Sequence, residues 1–279
     1  MVIGGVYLPW GPGYLGAWAQ VLFLGGAYLL YVGPLRRRLA GPDLLWVYPV
    51  SRRQVLCFLG GLFTILIFEG TPLGELGARY SFAAHMAQHL VLTLVTPVLL
   101  LLGTPSWAVR RLFSRLYRLL GRPGWLRGLT GLGLNPLVGF GLFNGGLVFW
   151  HLPQYYGLVH ESGFYHGLQH LTLLGTALLA WWPIVGPLAE FRLPWVLRLV
   201  YLFVLGIIPG VIGAFITFSD RLIYGYYALT PKPFGLDPLT DQLIGGLIMK
   251  VFGSVPLWAV VAVDFWVTFE REEKGIPEL

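Results

Sequence analysis

A single cysteine, Cys57, stands among 279 residues. One thiol excludes an internal disulfide and any thiolate-rich metal site within the chain, so a soft-metal function would have to rest on His and Met. Cys57 lies inside an apolar run and reads as packing. Charge is almost as scarce: Asp, Glu, Lys and Arg make up 11% of the chain, against about 25% in an ordinary soluble domain. Catalytic signatures are missing as well. Met86 follows His85 and Gly167 follows His166, so H-E-x-x-H does not occur, and a Ser-His-Asp order, a Gly-rich phosphate loop and Cys-x-x-Cys are absent too. These absences leave hydrolase, nucleotide and dithiol chemistry unsupported, and the chain is expected not to be an enzyme. The opening stretch MVIGGVYLPWGP has no basic segment and is broken by Gly and Pro, so no cleavable signal is expected and the first span is retained.

What the sequence has instead is apolar length. Hydrophobic residues make up 56% of it, and seven runs of transmembrane length fall at about 13-32, 54-69, 80-103, 134-152, 164-185, 195-218 and 243-268. The expected fold is all-α, one polytopic domain over 1-279 with seven transmembrane helices. Lys and Arg mark the cytoplasmic side. Arg36, Arg37, Arg38, Arg52 and Arg53 lie between the first two runs, and Arg110, Arg111, Arg115, Arg118, Arg122 and Arg127 between the third and fourth. Both segments are therefore cytoplasmic, which puts the amino terminus outside and the carboxyl terminus inside. Arginines clustered between spans orient a membrane protein and give no reason to expect nucleic acid. In the same three-four loop, Val109, Leu112, Phe113, Leu116, Leu119 and Leu120 recur at helical spacing with Arg111, Arg115, Arg118 and Arg122 opposite. That pattern predicts a helix lying flat on anionic lipid, with partner docking as the alternative.

With this topology every histidine falls on the outer half. His85 and His89 open the third span, His151 ends the fourth, His166 and His170 open the fifth, and His160 lies in the external loop between. The pairs His85/His89 and His166/His170 are each at i, i+4, so both imidazoles of a pair project from one helix face. Two such pairs facing each other would make a four-nitrogen site, and ionisable groups within a bundle usually face its interior and mark function. His151, in FWHLP, can turn over the same region, whereas His160 reads as a polar tip at headgroup level.

Other outer-side residues carry two readings each. Asp241, entering the seventh span, is a ligand or proton acceptor, or else a helix cap. Met249, two turns deeper, offers a thioether suited to Cu(I), or else fills core. Met86 is bracketed by the first pair but is expected to point elsewhere. Lys250 snorkels, pairs with Asp241 or Glu69, or serves the site. Imidazoles with an optional thioether suit copper or zinc, while a bis-His heme remains open because its ligand spacing would look the same. Transport across the whole bilayer is disfavoured, since only Asn144 and Asp264 continue inward.

Three stretches, in this order and spacing, resemble one family: HMAQHLVLTLVTPVLLLLGTP (85-105), FWHLPQYYGLVHESGFYHGLQHLTLLGTALLAWWPI (149-184) and LDPLTDQLIGGLIM (236-249). The chain is similar over roughly 15-268 to the polytopic CtaG-type cytochrome c oxidase assembly factors of bacteria. The resemblance implies a multi-pass protein of the bacterial cytoplasmic membrane that assists heme-copper oxidase assembly, with copper delivery as the usual proposal. It carries metal roles to His85, His89, His151, His166 and His170, and the family's acidic position before the seventh span to Asp241. Copper as Cu(I) is the implied cargo and heme the alternative, which would make the protein an electron carrier; a copper transporter is a third reading. Expected partners are heme-copper oxidase subunits and membrane lipids, with a homo-oligomer as a further option. Lys250 departs from the aromatic residue expected after LIM, and a cation there argues against Met249 as a ligand.

Overall fold

The computed structural model describes residues 1–10, 14–36, 49–121, 128 and 131–274. Helix α1 covers Leu15–Val32 and α2 covers Arg52–Glu69. The start of α2 is written in SRRQ: Ser51 Oγ accepts from the Gln54 N–H while the Gln54 side chain accepts from the Ser51 N–H, a reciprocal cap that begins the helix earlier than apolarity alone predicts. Gly70, Thr71 and Pro72 then stop one helix and start another, and the chain bends by 54° into α3 (Pro72–Glu75) and a π-helical segment, Leu76–Tyr80.

The third span is not one regular helix. It runs as α4 (Phe82–Leu90), a π-helical stretch Val91–Val95, and α5 (Thr96–Gly103). Pro97 has no N–H to give the Thr93 carbonyl four residues back, and the indole Nε1 of Trp181 donates to that carbonyl at 2.9 Å instead. Next come α6 (Ser106–Leu119), α7 (Pro136–His151), the short α8 (Pro153–Glu161), α9 (Gly163–Val185) and α10 (Trp195–Thr217). The last segment begins as α11 (Pro238–Leu247), passes through a third π-helical stretch, Ile248–Phe252, and continues as α12 (Val255–Glu273). A two-residue antiparallel pair, Val2–Ile3 with Val6–Tyr7, is the one departure from all-α among the described residues.

Five helical segments among the described residues are long and apolar enough to cross a membrane, or six when α2 and the bent piece after it count as one. The expectation of seven meets its difficulty at α7, whose 16 residues rise only about 24 Å, short of a hydrocarbon core of about 30 Å. The α6 helix forms as the loop pattern predicts, with Leu112, Leu116 and Leu119 exposed along one side. Arg37, Arg38, Arg122 and Arg127 lie outside the described residues.

The main core lies among the helices from α4 to α12, where Phe82, Met86, Phe143, Trp181 and Leu202 are buried together. The last two spans approach closely at two glycines. A Cβ on Gly213 would lie 2.8 Å from the Gly246 carbonyl, and one on Gly246 would lie 2.7 Å from the Thr217 nitrogen. Small residues at such a crossing let backbones meet in lipid.

Candidate metal centre

The site is built around the start of the third span. A helix N-terminus has N–H groups without partners in their own helix. Here Asp241, from α11, accepts from the Phe82 N–H at 2.8 Å, the Ala83 N–H at 3.2 Å and Ser81 Oγ at 2.7 Å, and Ser81 Oγ accepts from the Ala84 N–H. Lys232 Nζ lies 3.6 Å from the same carboxylate and donates to the Tyr80 carbonyl. Burial lowers the pKa of that ammonium, with Asp241 opposing the shift. Asp241 is thus a cap, but of span three. The cap of its own helix is Asp237, which accepts from the Leu239 and Thr240 N–H groups.

Anchored in this way, α4 directs His85 and His89 inward. His85, His89 and His170 are buried and offer nitrogens that all lie within 4.8 Å of one another. The His166 ring lies tilted beside that of His170, with centroids 4.2 Å apart, and its centroid is 5.7 Å from that of His85. His166 also lines an open depression of about 450 Å³ with Glu69, Glu75, Arg79 and Tyr14, so it joins the cluster to the surface. His151 stands apart, its ring 6.2 Å from His89.

Hydrogen bonds set the tautomers. His170 Nδ1 donates to Glu69 Oε1 at 2.5 Å, which leaves its Nε2 lone pair in the buried interior with no protein partner. His151 Nδ1 donates to the Leu147 carbonyl at 2.7 Å, and its Nε2 is likewise buried and unpartnered. An acceptor holding Nδ1–H so that Nε2 can bind is the arrangement that orients metal-binding imidazoles. Glu69 also accepts from Gln88 Nε2 at 3.2 Å. In the sequence Glu69 offers itself only as a partner for Lys250. The sequence signal was an acidic residue closing an apolar run, LIFEG.

Two further expectations change. His160 is not a headgroup-level tip: it sits in α8, stacks on Tyr226 with centroids 4.2 Å apart, donates from Nδ1 to the Ala78 carbonyl, and lies 5.8 Å from His85. Burial pushes its imidazole down to about 4. Lys250 pairs with neither Asp241 nor Glu69; its ammonium sits over the Phe218 ring, 4.6 Å from the centroid. Met249 is buried and lines a cavity of about 30 Å³ together with Met86, His89, His151 and Thr93. Met86 therefore does face the site. It lies three residues before His89 and shares its helix face, although it does not share that of His85.

The donor set is imidazole nitrogen with thioether sulfur nearby, which suits copper or zinc. A space of about 30 Å³ holds a single ion and not a macrocycle, so the residues fit a compact cation better than heme.

Residues 26–271 match the cytochrome c oxidase caa3 assembly factor family (CtaG), and the chain belongs to it. It is 26% identical over 272 residues to an uncharacterized protein of Mycobacterium leprae (strain TN), which covers 94% of this chain and 39% of that protein. Uncharacterized proteins of Mycobacterium bovis and Mycobacterium tuberculosis are each 26% identical over 270 residues, covering 92% of this chain and 39% of their own length. The chain thus spans 39% of the length of the curated relatives it matches. No solved structure matches it.

Proposed function

We propose that this caa3 oxidase assembly factor binds copper as Cu(I) on the outer half of the cytoplasmic membrane and delivers it to a heme-copper oxidase subunit. The observation that carries the reading is the convergence of His85, His89 and His170 within 4.8 Å, with His89 Nδ1 and His170 Nε2 buried and satisfied by no protein group. Such polar groups are costly unless partnered, and a metal ion is the partner they suit. His166 completes the cluster and Glu69 holds His170. His151 acts as an exchange ligand, and Asp241 fixes the start of span three without touching the ion. The topology we infer is seven crossings in one domain, with the amino terminus outside. The α6 helix rests on inner-leaflet lipid, and the chain acts as a carrier without catalysing a reaction.

The test is metal analysis with an absorption spectrum of the protein purified in mild detergent, beside a His85→Ala/His89→Ala/His170→Ala variant. Near-stoichiometric copper that falls in the variant, without a Soret band, is the expected result. A Soret band would move the protein to the heme-binding electron carriers. Failure to hold copper even after Cu(I) loading would sink the delivery reading.

A further inference from the structure

His89 belongs to two faces of its helix. At i, i+4 it shares one with His85; at i, i+3 it shares another with Met86, and this second face lines the cavity of about 30 Å³ that also touches His151 and Met249. The hydrogen bonds say which way its lone pair points. Tyr227 gives its hydroxyl proton to the Gly77 carbonyl at 2.9 Å, because a carbonyl can only accept. The Tyr227 oxygen is then an acceptor for His85 Nδ1–H, across a long 3.4 Å contact. With its proton on Nδ1, His85 presents a lone pair at Nε2, and His89 Nε2–H donates to it across 2.8 Å. The remaining His89 nitrogen, Nδ1, is buried, carries a lone pair and has no protein partner.

We propose, resting on the copper reading above, that His89 is shared between two Cu(I) stations and passes one ion between them. The outer station uses His89 Nε2 with His85 and His170. The deeper one uses His89 Nδ1 with His151 Nε2, completed by the thioethers of Met86 and Met249. His151 is already oriented for this by its bond to the Leu147 carbonyl. The 6.2 Å between the His89 and His151 ring centroids suits an ion held between two facing nitrogens, each bond being about 2.0 Å for imidazole on a divalent ion of similar size. A neutral imidazole has one lone pair, so both stations cannot draw on His89 together. When the ion moves from Nε2 to Nδ1, the ring's proton moves from Nδ1 to Nε2, where His85 Nε2 accepts its hydrogen bond. The ring is neutral before and after, and no net proton is consumed. Lys250 is no obstacle, since its ammonium is turned to Phe218.

The experiment is Cu(I) titration with copper X-ray absorption on the full chain in detergent. Wild type is expected to bind one copper and not two. His85→Ala/His170→Ala should retain one Cu(I) with sulfur in its shell, and adding Met86→Leu/Met249→Leu, which keeps side-chain volume, should remove the sulfur signal and weaken binding at least about tenfold. His151→Ala in the same background should weaken it likewise. Wild-type binding of one copper by nitrogen alone, unaffected by the Met and His151 changes, would overturn the shared-ligand proposal and leave the copper reading standing. Two coppers held at once would also overturn it. No Cu(I) bound by wild type would overturn both.

Discussion

At the scale of single residues, the site depends on a carboxylate that holds an imidazole rather than the ion itself. Glu69 holds His170 Nδ1–H at 2.5 Å, and losing such a partner usually costs 10- to 100-fold in metal affinity. Glu69→Ala is therefore expected to weaken Cu(I) binding by about that factor, with Glu69→Gln between it and wild type because an amide oxygen still accepts the proton. Competition titration against a chromophoric Cu(I) chelator reads both; equal affinities for all three proteins would remove Glu69 from the site. The histidine pairs were legible because i, i+4 spacing is a local property of one helix. Glu69 was not, since it meets His170 across 101 residues of chain and nothing in its neighbours says so. Asp241 shows the same limit: a cap was one of its two readings, but that it caps another helix, between residues 160 positions apart, appears only once the spans are packed.

At the scale of elements, the apolar runs were legible and their irregularity was not. Three π-helical stretches, Leu76–Tyr80, Val91–Val95 and Ile248–Phe252, contribute to the site's surroundings. The first offers carbonyls to His160, Tyr227 and Lys232, the second begins two residues after His89, and the third carries Met249. Pi-bulges inside helices often mark functional sites. A proline in a span predicts a kink, but which group takes over the freed carbonyl depends on the neighbouring helix. For Pro97 that group is Trp181. Trp181→Phe should leave the Thr93 carbonyl under-satisfied at a cost of about 1–3 kcal/mol, and Pro97→Ala, which restores a backbone N–H, should recover part of it. Thermal unfolding of the two single variants and the double variant in detergent forms the cycle. Strictly additive losses would mean that the indole and the proline are unrelated.

For the whole molecule, the proposed seven crossings rest on parity, since helix length leaves the count open. Asp241 and Ser81 are hydrogen-bonded, so they lie on one side of the membrane and an even number of crossings separates them. Between them run span three, α9 and α10, which makes three, and the proposed topology takes α7 as the fourth. Arg110 and Glu190 supply a second constraint. They form a bidentate pair at 2.7 and 2.8 Å, and α9 alone between them would place them on opposite sides. The pair is exposed and contributes about 0–1 kcal/mol, but its value here is geometric. Packing supports α7 as a crossing helix: Trp150 bonds Thr172 near one end, while Gly139 lies against Leu179 near the other, so α7 runs antiparallel along α9. A span short by about four residues is tolerated when the bilayer thins or flanking side chains snorkel. The single native cysteine makes this testable. In a Cys57→Ser background, Tyr7→Cys and Asp220→Cys are expected to react with a membrane-impermeant maleimide in intact spheroplasts, and Ser114→Cys, on α6, only after permeabilisation. Asp220 and Ser114 are separated by α7, α9 and α10. Labelling of both from the same side would mean that α7 does not cross, would reduce the count to six, and would bring the two termini to one face of the membrane.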